Sequence, residues 1–393
     1  MAADWNAARA AMMLDPSVTN LNTGSFGPLS RVVFDRATEL RRQLAAGPMD
    51  FLVRRVPPLL WDARSRLAAF LGCDPRRLLF TSNVSASINL VAASLQIAGP
   101  GEVLITDHEY LAMHWCWERA ARRLGFTLRT FPLPTMAEGP GPIIDAAVRA
   151  MTPRTRVLFF SHVLSPTGLV LPARELCQEA RRRGIVTVID GAHAAGFVPL
   201  DLAAIPADFY AGNAHKWLLA PSGAGFLHIA PGTEDRLAPF HVSWGWHTPA
   251  ADLDAPDEFG GTARLRRLEF EGTRDVVPWL CVPEALDFQA GFGFDAIRAR
   301  QRELAAKVKG LFAFLPQATP ASPEMSGPLS AFVAPPGTDP ARLRAAIWAE
   351  RFEVNVIERP DRLLFRLSTH FYNTPEEAAR LAELLPGMLA ASR

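Results

Sequence analysis

The run IVTVIDGAHAAG at residues 185–196 decides the fold. Ile185 to Ile189 are apolar or β-branched without polar alternation, the pattern of a strand covered on both faces. Asp190 closes that strand and Gly191 opens a turn, so a carboxylate stands at the carboxyl end of a strand, where parallel sheets bind their ligands. Runs of the same kind lie at Leu78 to Thr81, Val103 to Thr106, Val157 to Ser161 and Gly225 to Ile229, separated by helical patterns such as Leu171 to Arg183. This alternation predicts an α/β fold, a mainly parallel sheet with helices on both faces. Past about residue 285 the pattern changes to a charged helix (Asp295 to Leu311), a strand (Ser330 to Val333) and a helix (Asp339 to Arg351). Strands at Val354 to Ile357 and Leu363 to Leu367 and a last helix from Thr374 complete what reads as a smaller α+β domain. The Gly-, Asp-, Pro- and Trp-rich stretch from Trp244 to Arg264 reads as a long loop, of the kind that carries function or meets a partner.

Composition narrows the function by exclusion. With 41 basic and 40 acidic residues the net charge is +1, which offers nothing to nucleic acid or to an acidic membrane. A chain of 393 residues that is 49% hydrophobic buries a large core, usually in two domains, and is neither disordered nor fibrous. No apolar run approaches the ~18–20 residues that cross a bilayer, and the first residues lack the basic-then-apolar order of a secretion signal. A cytoplasmic location is therefore expected. The cysteines at 73, 116, 177 and 281 match no metal spacing and are expected to be thiols.

Only three of the 41 basic residues are lysines, Lys216, Lys307 and Lys309, so arginine serves almost wherever a positive charge suffices. Lys307 and Lys309 sit on a charged helix, whereas Lys216 lies between His215 and the apolar run Trp217 to Ala220. A desolvated amine can lose its proton and attack a carbonyl to form a Schiff base, which a guanidinium cannot do. A lone lysine is also readable as a snorkelling surface residue. Asp190 by itself fits a helix cap or a metal ligand as well as a partner for a cationic ring nitrogen, and its pairing with Lys216 favours the last. The strand Leu78 to Thr81 runs into Ser82, Asn83, Val84 and Ser85 and then an apolar helix from Ile88. That is an ordinary capped helix or, equally, a donor-rich phosphate seat, to which Asn213, His215 and the Gly272-Thr273-Arg274 turn add further donors.

Nine strings in order, LNTGSFGP (21–28), FTSNVSASIN (80–89), DHEY (107–110), SHVLSPTGLVLP (161–172), VIDGAHAAG (188–196), NAHKW (213–217), VSWGW (242–246), FEGTRD (270–275) and FRLSTHFYNTPEE (365–377), resemble the class V aminotransferase family. These are pyridoxal-phosphate enzymes of fold type I that include the cysteine desulfurases, and the likeness is greatest to the isopenicillin N epimerase branch. The resemblance implies a mainly parallel seven-stranded sheet in a large cofactor domain (21–285), a small C-terminal α+β domain (286–393) and an N-terminal segment (1–20) packed with the latter. It implies that Lys216 joins the cofactor, that Asp190 pairs with the pyridine nitrogen, and that Ser85, with Val84 at the helix start, Asn213 and His215 hold the phosphate. His193 falls near the phenolic oxygen, as does Ser165. Tyr110 falls over the ring, with Glu109 closer to the place of the desulfurase histidine. Arg366 matches the arginine that grips the substrate carboxylate, with Asn22 and Ser25 of the first string beside it. Thr273 is expected to reach the phosphate of a neighbouring subunit, which implies a homodimer.

Three reactions compete on such a scaffold: epimerisation, β- or γ-elimination, and amino transfer. Desulfurases carry a thiol in a loop shortly before the terminal arginine motif, and here Asn355 to Arg362 contains none, while Cys281 reads as core. The expectation is an amino-acid epimerase, with a C–S or other β-elimination lyase as the alternative. A catalytically silent relative would have no need of Lys216, Asp190 and Arg366 together. Epimerisation needs a second acid–base group besides Lys216, and His193, Tyr110 and His114 are the candidates. Trp244 and Trp246 fit a pocket for a bulky amino-acid derivative or an interface equally well.

Overall fold

The computed structural model describes residues 3–97, 99–247, 252–318 and 322–393. Within them the strands are, in chain order, β1 (Thr19–Asn20), β2 (Leu78–Thr81), β3 (Glu102–Thr106), β4 (Thr127–Phe131), β5 (Thr155–Ser161), β6 (Val186–Gly191), β7 (Phe209–Asn213), β8 (Gly225–Ile229), β9 (Leu329–Val333), β10 (Phe352–Glu353), β11 (Asn355–Glu358) and β12 (Leu363–Ser368). Seven of them form one sheet in the order β2-β8-β7-β6-β5-β3-β4. Only β8 runs against the others, so the sheet is mainly parallel and the fold is that of the type I pyridoxal-phosphate enzymes. Two of these strands escaped the reading of the sequence. Edge strand β4 carries Arg129, which bonds Glu102 of its neighbour at 3.0 Å, so it lacks a continuous apolar run. Strand β7 reads FYAGN, and its Gly212 hides it because glycine normally weakens a strand. Here a Cβ on Gly212 would lie 2.1 Å from the Phe226 ring, so the close packing of β7 on β8 requires the glycine.

Helices cover both faces of this sheet, and two large apolar clusters fill the layers. Trp217 is fully buried in one of them, with Phe197 edge-on at 5.1 Å. The remaining strands form an antiparallel sheet, β11-β12-β9, and a parallel pair, β1-β10. Helices Phe294–Leu311 and Pro375–Ala391 pack on the antiparallel sheet. The last helix begins with a capping box in which Thr374 and Glu377 satisfy each other's backbone N–H groups. Leu21 donates its N–H to Glu353 and Asn22 bridges Ser368, so the N-terminal stretch lies on the C-terminal strands. Of the segment read as a long loop, residues 244–247 form a short 3-10 turn and Ala263–Glu269 a helix, while 248–251 lie outside the described residues.

Because β2, β3, β5, β6 and β7 run the same way, the segments that follow them converge at one edge of the sheet. The antiparallel sheet brings β12 over that edge.

Candidate active site

A cavity of about 410 Å³ opens at this edge, lined by Ser25, Val84, Ser85, Tyr110, Ser165, Asp190, His193, Asn213, His215, Lys216 and Arg366 among others. The chain thus gathers residues from positions 25 to 366 into one site.

Lys216 follows β7 in a turn whose next residues are buried, and Leu219 takes a left-handed conformation (φ 59°), a strained choice for a branched side chain. The loop carrying Gly27 presses on this turn, with the Gly27 N–H donating to the His215 carbonyl at 3.0 Å. A Cβ on Gly27 would lie 2.2 Å from the Lys216 carbonyl oxygen. Burial brings the Lys216 amine down from 10.5 to about 8, against the pull of Asp190, so a neutral nucleophile is accessible near physiological pH. Its Nζ lies 3.3 Å from His193 Nε2. The Trp217 indole N–H donates to His193 Nδ1 at 3.3 Å, which assigns the hydrogen of the neutral ring to Nε2 and points it at the lysine. Burial holds that ring well below its usual range, with Lys216 and Arg366 adding to the effect.

Asp190, the penultimate residue of β6, is buried, with Oδ1 accepting the Ala192 N–H at 2.9 Å. Burial raises its pKa, and the Ala192 N–H and Lys216 oppose that rise. No described side chain forms an ion pair with it, so the site holds a carboxylate with capacity for a cationic N–H partner.

Helix Val84–Ser94 points its N-terminus into the cavity. Asn83 caps it by accepting the Ala86 N–H, and Asn213 Oδ1 accepts the Val84 N–H, both at 2.9 Å. Asn213 therefore fixes the helix start against β7, where Ser82 and Ser85 line the cavity. His215 rests its Nδ1 against the Ala224 carbonyl at 3.3 Å and is held near 4, chiefly by burial; an anion at Nε2 would favour the protonated, donating ring.

Arg366 of β12 is fully buried. One Nη donates to the Ser165 carbonyl (2.7 Å) and hydroxyl (3.2 Å), the other to Asn22 Oδ1 (3.1 Å) and the Ser25 hydroxyl (3.2 Å). All four acceptors are neutral, Nε has no partner, and no described carboxylate pairs with this cation. Burial lowers it to about 10. A buried guanidinium left so is a seat for an anion.

Other residues singled out in the sequence lie outside the cavity wall. Asn22 stands behind Arg366 rather than in the cavity wall. Thr273 is exposed and outside this chain's own cavity. His114 lies on helix Leu111–Leu124 and does not line the cavity, because the turn after Tyr110 carries it away. Trp244 is 85% exposed and Trp246 lies under Arg267, so neither forms the pocket within this chain. Cys281 is fully buried and pushed to about 12, chiefly by burial. The sequence reading missed Ser161 and the Trp217 N–H, since neither their neighbours nor their spacing marks them.

A model of the class V aminotransferases, "Aminotransferase class-V", matches residues 33–335. The chain belongs to that family. It is 56% identical to isopenicillin N epimerase of Streptomyces clavuligerus over 98% of both chains, and 56% identical to that of Amycolatopsis lactamdurans with the same coverage. Among solved structures it resembles the cystine C–S lyase C-DES, with a TM-score of 0.82, 24% identity and coverage of 96% of this chain and 99% of the other. That lyase has also been solved as a variant with glycine covalently linked to its PLP cofactor.

The class V enzyme described here is thus a pyridoxal 5′-phosphate enzyme, and its cavity fits that group. Asp190 has an oxygen available for a ring N–H, Lys216 has an amine that burial deprotonates readily, and Ser85 at the helix start offers donors for a phosphate, whereas the Val84 N–H expected there is already taken by Asn213.

Proposed function

We propose that this class V enzyme is an epimerase of the isopenicillin N epimerase type, inverting the α-carbon of an amino-acid derivative. The near-complete match to the two epimerases carries this reading, and the cavity is compatible with it. Bound pyridoxal phosphate supplies a sink for the electron pair of a bond broken at the α-carbon. In this reading the Arg366 fork takes the α-carboxylate, with Asn22 and Ser25 setting the angle of the guanidinium and Ser165 holding its other edge. Asp190 keeps a positive charge on the ring nitrogen, and Ser85, Asn213 and His215 secure the phosphate. Lys216, whose buried amine loses its proton readily, would take the hydrogen on its side of the α-carbon. His193 Nε2–H steadies the lysine or the phenolic oxygen, and Tyr110 closes the mouth of the cavity over the ring.

The alternative, a C–S or β-elimination lyase, finds its parallel in the fold neighbour C-DES. Desulfurase chemistry lacks its thiol: β11 and the turn after it, 355–362, contain no cysteine, and Cys281 is buried core. We further read the enzyme as a cytoplasmic homodimer whose Thr273 completes the partner's phosphate site, with residues 21–285 as cofactor domain, 286–393 as small domain, and 1–20 packed on the latter. The exposed Phe26, Val242 and Trp244, at 72%, 70% and 85%, fit such an interface. The deciding experiment incubates holoenzyme with isopenicillin N in deuterium oxide. α-Deuteration with inversion supports the epimerase; release of a keto acid or a thiol from amino-acid substrates, without inversion, establishes the lyase.

A further inference from the structure

The turn that carries Lys216 also carries Trp217, whose indole N–H donates to His193 Nδ1 at 3.3 Å, while His193 Nε2 lies 3.3 Å from the Lys216 Nζ. Two residues adjacent in the chain thus meet the two nitrogens of one buried ring. Because Nδ1 accepts, the hydrogen of the neutral imidazole sits on Nε2. A ring fixed in this way donates to the amine, and an amine accepts a hydrogen bond only through the lone pair it has when uncharged. An ammonium there would set N–H against N–H. With the other tautomer Nε2 would accept, and the same contact would favour the charged amine instead.

The indole has little freedom to leave this contact. Trp217 is fully buried, stacked on His370 with ring centroids 5.8 Å apart and met edge-on by Phe197 at 5.1 Å. Its carbonyl accepts from His370 Nε2 at 3.0 Å and from the Gln289 amide at 3.1 Å. His370 is fixed in turn, since its Nδ1 accepts the Phe371 N–H at 2.9 Å. Strand β12, which carries Arg366, ends at Ser368 and runs directly into this segment.

We propose that Trp217 is a positioning residue that acts through His193: it locks the ring as a donor toward Lys216 and so keeps the amine uncharged and ready to take the cofactor. The proposal rests on Lys216 as the amine that joins the cofactor, and on neither the epimerase nor the lyase reading. Charged groups act on this amine from two strands, Asp190 of β6 favouring the ammonium and Arg366 of β12 opposing it. His215, the preceding residue, is held near 4, chiefly by burial, and is uncharged. Burial brings the amine to about 8 against the pull of Asp190, so one hydrogen bond of fixed direction moves the balance measurably.

The test uses the full chain freed of cofactor, with its histidines labelled with nitrogen-15. Near neutral pH the native spectrum is expected to show His193, assigned by its loss in His193→Ala, as a neutral ring protonated at Nε2. Trp217→Phe keeps a ring in the core but has no N–H, and there the form protonated at Nδ1 is expected to appear. The pH midpoint for covalent capture of pyridoxal 5′-phosphate, read as borohydride-fixed adduct on the peptide carrying Lys216, is expected to rise by about one unit in Trp217→Phe. In the His193→Ala background the same substitution is expected to leave the midpoint where it is. A native His193 that is charged, or protonated at Nδ1, would overturn the lock, and that measurement needs no change at Trp217. An unmoved midpoint in a Trp217→Phe protein that still melts cooperatively would overturn it too, as would an equal shift with and without His193, which would reduce the indole to packing. Adduct that forms as readily in Lys216→Ala would instead overturn the assignment of Lys216, and the lock with it.

Discussion

Lys216 is a base because the protein denies it water. Burial lowers its pKa from 10.5 to about 8, so between those values the folded apo chain binds fewer protons than the unfolded chain. Stability from this residue therefore rises as pH increases from about 8 to 10.5, and below 8 the buried charge is a cost. In urea titrations of apo protein, the native chain should gain on Lys216→Met across that window. The second-order rate at which apo protein captures pyridoxal phosphate should likewise level off above about 8 rather than near the ordinary lysine value. Arg366 makes the opposite case: its fork is spread between Ser165 and the Asn22–Ser25 pair. A lysine there cannot span both sides, so Arg366→Lys should raise KM for the amino-acid substrate roughly 10- to 100-fold, about 1.4–3 kcal/mol, while the cofactor absorption persists.

At the scale of elements, the site depends on segments pressed together without room to spare. Gly27 lets the 21–28 loop lie against the lysine turn, where an added Cβ would meet backbone at 2.2 Å. Gly27→Ala should cost about 1–3 kcal/mol of stability and shift Lys216, read as a lower melting temperature and slower cofactor capture together. The start of helix Val84–Ser94 depends on Asn83, whose side chain accepts the Ala86 N–H. Asn83→Ala should remove about 1 kcal/mol and weaken cofactor retention on dialysis, whereas a cap lost far from the cavity, Thr374→Ala, should lower stability alone.

For the whole molecule, the exposed Thr273 and the exposed aromatic surface bear on assembly. If Thr273 completes the partner's site, mixing inactive Lys216→Ala subunits with Thr273→Ala subunits should generate hybrids with one intact site, and activity above that of either parent. Activity no higher than the sum of the parents would place Thr273 outside the phosphate site. Within one chain, Arg366 of β12 bonded to Ser165 and Arg359 bonded to the Asp107 carbonyl tie the C-terminal strands to the cavity rim.

The sequence by itself determined the alternation of strands and helices, the carboxylate at the end of β6 and the isolated lysine after β7, because burial on both faces and chemical necessity leave marks in a local pattern. It likewise showed the C-terminal helices and strands to within a few residues. What only the tertiary structure decided were contacts between segments distant in the chain: Trp217 fixing the hydrogen of His193, Arg366 held by Asn22, Ser25 and Ser165, and Glu109 stored behind Ser161. Strands β4 and β7 belong with these, since their neighbours across the sheet, not their own composition, make them strands. Local pattern records how a residue meets solvent, whereas the partner it meets across the fold is set by packing that no short stretch of chain contains.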